Sequence, residues 1–209
     1  MKQSKSLFLL LSCSLILAAC GNEKQDTVEV HSKETASSET VSKTEKPESK
    51  KGTRSNPIPF GKNVSQKISF YDIDGDAMDE FEGTITLSLD NLKRGDTAYS
   101  YLKEANEYNE EAPDGFEWAI VDAELSLTDA DTDDVAFYVD PDFTVFTEDG
   151  STVDKEIYPT YAEGDEFGYD KIYNGGTSKG KVAFLVPIDE PFLIEYDNQT
   201  SHPLFFKPV

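Results

Sequence analysis

Two runs of aspartates are the residues in this chain most able to hold a cation. The first is Asp72-Ile-Asp74-Gly-Asp76 and the second is Asp129-Ala-Asp131-Thr-Asp133-Asp134. Alternating carboxylates on a short loop are typical of calcium ligands. An EF-hand that began at Asp72 would need glycine where this chain has Ala77 and glutamate where it has Gly83. Two interpretations stay open for both runs: a looser calcium site, or a solvated turn between strands.

Residues for nucleophilic or acid–base catalysis are few. His202 is the single histidine after residue 52, and we expect no G-x-S-x-G-like elbow or comparable context that would place a serine in a Ser-His-Asp triad with it. The run from Gly175 to Lys179 lacks the full phosphate-loop pattern and predicts a hairpin turn. Carboxylates are so abundant that no single pair of them is informative. We therefore expect a protein that is not an enzyme and has no cofactor, with a carboxylate-dependent envelope hydrolase as the alternative.

Cys20 ends a segment with the features of an export signal. Lys2 and Lys5 precede an apolar run. The run is too short to be a membrane-spanning helix, which needs about 20 residues. The run ends in Leu17-Ala-Ala-Cys20, which resembles the lipobox of bacterial lipoproteins. Residues 1–19 are predicted to be a lipoprotein signal peptide, and the Cys20 thiol is predicted to carry a diacylglyceryl thioether. Lipid would then hold the protein on the outer face of the cytoplasmic membrane. The alternative is an ordinary secretory signal with a chance cysteine.

Residues 20–52 have the composition of a linker. Serine, threonine, glutamate and lysine dominate this segment, and it contains no aromatic residue. Such a sequence cannot bury enough apolar surface to fold. We predict a disordered tether with a span of about 30 Å, in which His31 has no specific role.

The remaining residues, 53–209, are strongly acidic. The whole chain has a formal net charge of −22, and this part contains 34 acids against 11 bases. Negative charge repels nucleic acid and anionic lipid, so both are excluded as direct partners. The membrane is expected as a partner only through lipid on Cys20. A basic protein or peptide of the envelope or host is the expected macromolecular partner, and the alternative is that the charge only keeps the protein soluble.

Residues 53–209 read as many short strands and one helix. Phe81 to Leu89 alternates between apolar and polar residues, which predicts a half-buried strand. Asp96 to Asn109 has helical spacing of apolar residues, with Asp96 as the cap. Trp118 is predicted to lie in the core. Tyr99, Tyr101 and Tyr108 are predicted to pack the helix onto the strands, or alternatively to form a sugar-stacking surface. Eight or nine strands with turns between them predict a mainly β fold, a β-sandwich with one inserted helix.

Several stretches of this part also fit a family pattern. They are Gly52–Pro57, Arg94–Ala98, Ala105–Asn109, Ala112–Trp118 and Gly180–Pro187. Together they resemble the telokin-like, immunoglobulin-like extracellular domains of lipoproteins from Gram-positive bacteria. The resemblance covers about residues 52–208 and implies an immunoglobulin-like sandwich, an exported location and a binding or interaction role. It names no ligand. A structural or immunogenic surface protein without a specific ligand is the remaining alternative.

Overall fold

The computed structural model describes residues 29–32, 51–75, 79–153, 157–197 and 202–209. The predicted signal peptide and Cys20 lie outside these residues. In the described ranges, no helix has the length and apolar character needed to cross a bilayer. These ranges form the following elements: β1 (Glu29–Ser32), β2 (Ile58–Pro59), β3 (Lys62–Tyr71), β4 (Glu80–Arg94), α1 (Asp96–Ala105), β5 (Phe116–Thr128), β6 (Phe137–Val139), β7 (Phe143–Thr147), β8 (Asp170–Ile172), β9 (Thr177–Pro187), β10 (Phe192–Tyr196) and β11 (Leu204–Lys207).

Two sheets enclose the main core. The larger is antiparallel and has the strand order β1-β3-β4-β5-β9, and the smaller has the order β2-β11-β10-β7. Alternate side chains of each sheet, such as Ile85 and Leu87 in one and Ile194 and Phe206 in the other, join a single buried cluster. Strands β6 and β8 form a separate ribbon. The prediction of a mainly β sandwich with one helix is confirmed, and two face-to-face sheets are the architecture of immunoglobulin-like domains.

The helix begins where the sequence predicts it and ends earlier. Gly95, with φ of 58°, is the residue before the first turn, and Asp96 is the first helical residue. The prediction that Asp96 caps the helix is wrong, because a left-handed backbone at that junction favours glycine. The helix stops at Ala105, since Asn106 is extended and cannot continue the turn. The predicted last residue, Asn109, is buried outside the helix.

The helix covers the outer face of the larger sheet. Ala98 and Leu102 pack against Trp118, Ile120 and Leu185 in a second buried cluster. The start of β5 is consequently buried on both faces. Trp118 is 2% exposed, which confirms that it is a core residue, but it lies under the helix and its indole nitrogen donates to the Glu110 carbonyl at 3.0 Å.

Strand β1 lies within the segment interpreted as a linker. Glu29–Ser32 pairs antiparallel with residues 62–65 of β3, and this places His31 opposite Asn63. The sequence Val28-Glu-Val30-His31 alternates apolar and polar residues, and β3 otherwise presents the unpaired backbone groups of an edge strand. A short strand can add to such an edge through backbone hydrogen bonds alone.

Candidate functional site

The first aspartate run forms a turn that is tied to the β6–β8 ribbon. The Asp72 carboxylate accepts the backbone N–H of Asp74 at 3.0 Å. Asp74 pairs in turn with the Lys171 ammonium at 2.6 Å. Asp76 lies outside the described residues. This turn holds Ile73 beside the ribbon.

The second aspartate run also forms a turn. The Asp133 carboxylate accepts the Asn174 side-chain amide at 2.9 Å, and the Asp131 backbone N–H donates to the Glu82 carbonyl at 3.0 Å. Among all the described residues, no three acidic, histidine or cysteine side chains are arranged to hold a metal ion.

His202 lies at the surface, just before β11. Its side chain is exposed, and its carbonyl accepts the buried Gln66 amide at 2.9 Å. A G-x-S-x-G pattern does occur at Gly176–Gly180 and was missed by the sequence analysis. Its Ser178 is 2% exposed near the start of β9, where it pairs with Leu125 of β5, and it donates to the Asp170 carboxylate at 2.6 Å. A buried strand serine of this kind is not the exposed turn serine of a hydrolase.

The turn at Gly175-Gly176 connects two sheets. The strand before it pairs with β6 and the strand after it pairs with β5, so the predicted hairpin is wrong. Both glycines dock on Leu127: its carbonyl accepts the Gly175 N–H at 2.8 Å, and its N–H donates to the Gly176 carbonyl at 3.1 Å.

The three helix-region tyrosines do not form one surface. Tyr99 and Tyr101 pack against the second buried cluster, while Tyr108 is 82% exposed. The Tyr101 hydroxyl donates to the Asp165 carboxylate at 2.6 Å. Burial, followed by that carboxylate, raises the pKa of Tyr101. Packing of the helix is therefore the interpretation that the structure supports for Tyr99 and Tyr101.

A small cavity joins the end of β3 to the β6–β8 ribbon and to β10. Its volume is about 200 Å³. We call it the Tyr196 pocket, and the residues that line it are Ser69, Phe70, Tyr71, Ile73, Phe137, Tyr138, Asp140 and Tyr196. Most of its wall is aromatic, and its polar side chains are those of Ser69, Asp140 and the tyrosines.

The hydroxyl of Tyr196 is the unusual group in this pocket. The side chain is 0% exposed, and its ring packs on Phe143 with centroids 4.9 Å apart. Its oxygen has no hydrogen-bond partner among the described residues. A buried hydroxyl without a partner costs about 1–3 kcal/mol of stability. Phenylalanine would fill the same space without that cost.

Carboxylates surround this hydroxyl. Burial, and then the charges of Asp140, Asp142 and Asp197, raise the pKa of Tyr196. Burial, and then Asp140 and Asp197, raise the pKa of Asp142 as well. The pKa of Glu195 is raised by burial and by Asp197 and Asp142. These groups repel one another, so the surroundings of the pocket favour positive charge.

The mouth of the pocket has exposed apolar and aromatic side chains. Tyr71 is 45% exposed and Ile73 is 58% exposed. Tyr169, 61% exposed, lies close enough to Asp140 for that charge to raise its pKa, after burial and Glu166. Its backbone has φ of 59°, an unfavourable value for a bulky residue, and its N–H donates to the Val139 carbonyl at 2.8 Å. The fold thus holds an exposed tyrosine beside the pocket.

A larger groove of about 750 Å³ lies between β7 and β9. Two of its polar groups are used within the protein. The Tyr161 hydroxyl accepts the Ala183 N–H of the strand edge at 2.8 Å, and the Lys181 N–H donates to the Asp165 carbonyl at 2.6 Å. The Tyr196 pocket is smaller, but it holds a buried polar group that its surroundings leave unsatisfied. We therefore take it as the candidate site.

Sequence reasoning did not identify this site. Its polar residues and the acids near them lie on separate strands and loops, with Asp140 in the pocket wall and Asp142 and Asp197 nearby. The sequence signal that could have indicated it is Tyr196 next to Asp197 at the end of an apolar strand. Acids beside aromatic residues are common in this acidic chain, so the signal is not specific.

No family model matches the sequence, so membership of the telokin-like family stays a prediction. No curated protein matches it either. Among solved structures, a secreted protein from Mycobacterium tuberculosis, MPT63, is similar to this chain with a TM-score of 0.41 and 17% sequence identity. The match covers 73% of this chain and 98% of that one.

Proposed function

We propose that this protein is a lipid-anchored module on the outer face of the cytoplasmic membrane that binds a basic protein or peptide and catalyses no reaction. The observation that carries the proposal is the Tyr196 pocket. Asp140 lines this pocket, and Asp140, Asp142 and Asp197 lie near enough to the buried Tyr196 for their charges to raise its pKa. A positively charged group of a partner at the mouth of the pocket would relieve the repulsion between these carboxylates.

The anchor is supported by the sequence. Leu17-Ala-Ala-Cys20 follows a short apolar run and precedes a hydrophilic segment. Two acyl chains on Cys20 would hold the protein stably at a membrane, since each buried methylene contributes about 0.8 kcal/mol. The hydrophilic segment then separates the acidic sandwich from the lipid head groups.

The charge of the sandwich supports the partner class. With 34 acids against 11 bases after residue 52, its field attracts cationic molecules from beyond contact distance. Such steering raises the association rate more than the final affinity. Salt screens this attraction, so the dependence of the association rate on salt tests whether the charge has a role in binding.

The test is the association rate of the mature protein with a basic probe, a capped peptide of alternating lysine and glycine. We expect the rate to fall steeply as sodium chloride shortens the Debye length from about 30 Å to about 3 Å. A peptide with glutamate in place of lysine is the control and should not bind. A rate that stays flat across this range would mean that the charge serves solubility, and the proposed function would be withdrawn.

A further inference from the structure

The groove between β7 and β9 has the size of a site for a small organic ligand. Its volume of about 750 Å³ is within the roughly 300–1,000 Å³ of such sites. Its floor is aromatic: the Phe143 ring meets the rings of Phe167 and Phe184, with centroids 5.9 Å apart in each pair. Tyr158 is 84% exposed and Tyr169 is 61% exposed, and both line the groove. A ligand can therefore reach these two rings directly from solvent.

The lining of the groove is nearly uncharged, although 29% of the chain is charged. Glu166 and Lys181 are the charged residues of the lining, and the Lys181 ammonium pairs with Asp122 on β5 at 2.9 Å. The remaining polar side chains of the lining all carry hydroxyls: Thr144, Thr152, Tyr158, Tyr161 and Tyr169. A hydroxyl can both donate and accept hydrogen bonds. Hydroxyls between aromatic rings suit an uncharged ligand that itself carries many hydroxyl groups.

The fold holds Tyr169 at this groove in a strained backbone. Its φ of 59° follows a φ of 85° at Gly168, and a left-handed backbone is unfavourable for a bulky residue. A Cβ on Gly168 would lie 2.9 Å from Pro141 in the groove wall, so a glycine is needed for this close approach. Asparagine or glycine would relieve the strain at residue 169. An exposed tyrosine kept in such a conformation is typical of a binding site.

The sheet edges beside the groove already have hydrogen-bond partners. On β9, the Ala183 N–H donates to the Tyr161 hydroxyl at 2.8 Å. On β7, the Val145 carbonyl accepts the Val153 N–H at 2.9 Å. An extended peptide that adds a strand needs the backbone groups of a free edge, so these bonds oppose a peptide ligand. A ligand that is recognised by ring faces and hydroxyls does not need a free edge.

We propose that the groove between β7 and β9 binds a short uncharged oligosaccharide. The exposed rings of Tyr158 and Tyr169 lie against the apolar C–H faces of the sugar rings. The hydroxyls of Thr144 and Thr152 form hydrogen bonds with the sugar hydroxyls. This groove shares no lining residue with the Tyr196 pocket, and the proposal goes beyond the function proposed above without depending on it.

The experiment measures, by titration calorimetry, the binding of the mature protein to a glucose trisaccharide and to an N-acetylglucosamine trisaccharide. Wild type should bind at least one of them. Tyr158→Ala and Tyr169→Asn should each weaken that binding by up to about tenfold, the effect of losing one aromatic contact. Tyr169→Phe keeps the ring and should retain most of the affinity.

The controls separate the loss of the rings from a loss of folding. Tyr169→Asn should not lower the melting temperature, because asparagine tolerates a left-handed backbone. Tyr108→Ala removes an 82% exposed tyrosine that does not line the groove, and it should bind the trisaccharide like wild type. The lysine-glycine peptide should bind Tyr158→Ala like wild type, so the two proposals can fail separately.

Two results would overturn the oligosaccharide assignment: wild type binds neither trisaccharide, or the binding is unchanged in both Tyr158→Ala and Tyr169→Asn. A capped peptide of alternating proline and glycine is the probe for a peptide ligand. If this peptide binds in place of the sugars and loses affinity in the two tyrosine variants, the groove is a peptide site and the assignment is wrong. Trisaccharide binding that weakens in both variants and persists in Tyr108→Ala supports the proposal.

Discussion

Tyr196 joins two roles in one residue. Its ring belongs to the main core, where it packs on Phe143, and the residue also contributes to the wall of the pocket. Burial and nearby acids keep the hydroxyl protonated at neutral pH, since both raise its pKa.

Cys20 is the residue on which the anchor depends. Replacing it with serine removes the thiol that would form the thioether, so Cys20→Ser should block lipid attachment. Metabolic labelling of cells with a fatty-acid analogue checks this: wild type should be labelled and the variant should not. Ser14→Ala, within the same signal segment, is a control that should keep the label. Label retained by Cys20→Ser would contradict the prediction.

At the scale of elements, Asn109 fixes the end of the helix to a distant loop. Its side-chain amide donates to the Leu102 carbonyl at 2.7 Å and to the Thr160 carbonyl at 2.8 Å. Its side-chain oxygen accepts the Thr160 N–H at 2.8 Å. One buried side chain thus satisfies three backbone groups, and it holds the residue-160 loop against the helix without a strand between them.

Asn109→Ala should therefore lower stability substantially. Both Thr160 backbone groups lose this partner, and the Leu102 carbonyl keeps only the Asn106 N–H, which we expect to reduce the free energy of unfolding by about 2–3 kcal/mol. The melting temperature should fall by roughly 4–12 °C for a protein of this size. Asn106→Ala is the matched control, because the exposed Asn106 oxygen accepts a single local bond from Tyr108 at 3.0 Å. Equal melting temperatures for the two variants would show that Asn109 does not hold the loop.

For the whole molecule, carboxylates that lie close together in the folded protein make its stability depend on pH. Burial, and then neighbouring carboxylates, raise the pKa values of Asp142 and Glu195 in the folded state. The folded protein holds these protons more tightly than the unfolded chain does. The stability that these two protonated carboxyls contribute is present below their ordinary pKa values, which are 3.8 for Asp142 and 4.5 for Glu195. It is lost as pH rises through the raised values.

Asp122 acts in the opposite direction. Its pKa is lowered despite burial, because it accepts hydrogen bonds from Lys181 and Asn91. That stabilisation is present above its ordinary pKa of 3.8 and is lost as pH falls through the lowered value. The melting temperature should therefore rise as pH is lowered from 7 towards the carboxyl range and fall again at lower pH.

Thermal melts over this pH range check the prediction. Asp142→Asn should reduce the slope on the neutral side, since it removes one of the mutually repelling carboxylates. Asp114→Asn, at an exposed turn, changes the net charge by the same amount as Asp142→Asn. It should reduce the slope of melting temperature against pH by less. A melting temperature highest at pH 7 or above would contradict the assignment.

The sequence predicted the elements that have a strong local period. The alternation from Phe81 to Leu89 lies within β4, and the apolar spacing after Asp96 lies within α1. Predictions failed where distant contacts decide the outcome. The helix ends early at the extended Asn106, and Asn109 bonds instead to residue 160. The turn at Gly175 joins different sheets because β8 pairs with β6 while β9 pairs with β5.

By itself, the sequence determined the fold class, through alternating apolar residues and turn residues that act locally along the chain. It also determined the charge of the sandwich and the export-signal pattern at Cys20, because both depend on composition or on a contiguous string. Only the tertiary structure decided the candidate site. Tyr196, Asp140 and Phe70 come from three separate parts of the chain, and they meet because the two sheets pack face to face and the β6–β8 ribbon closes one end. Whether a buried hydroxyl has a partner depends on all its neighbours in space, and no local pattern records them.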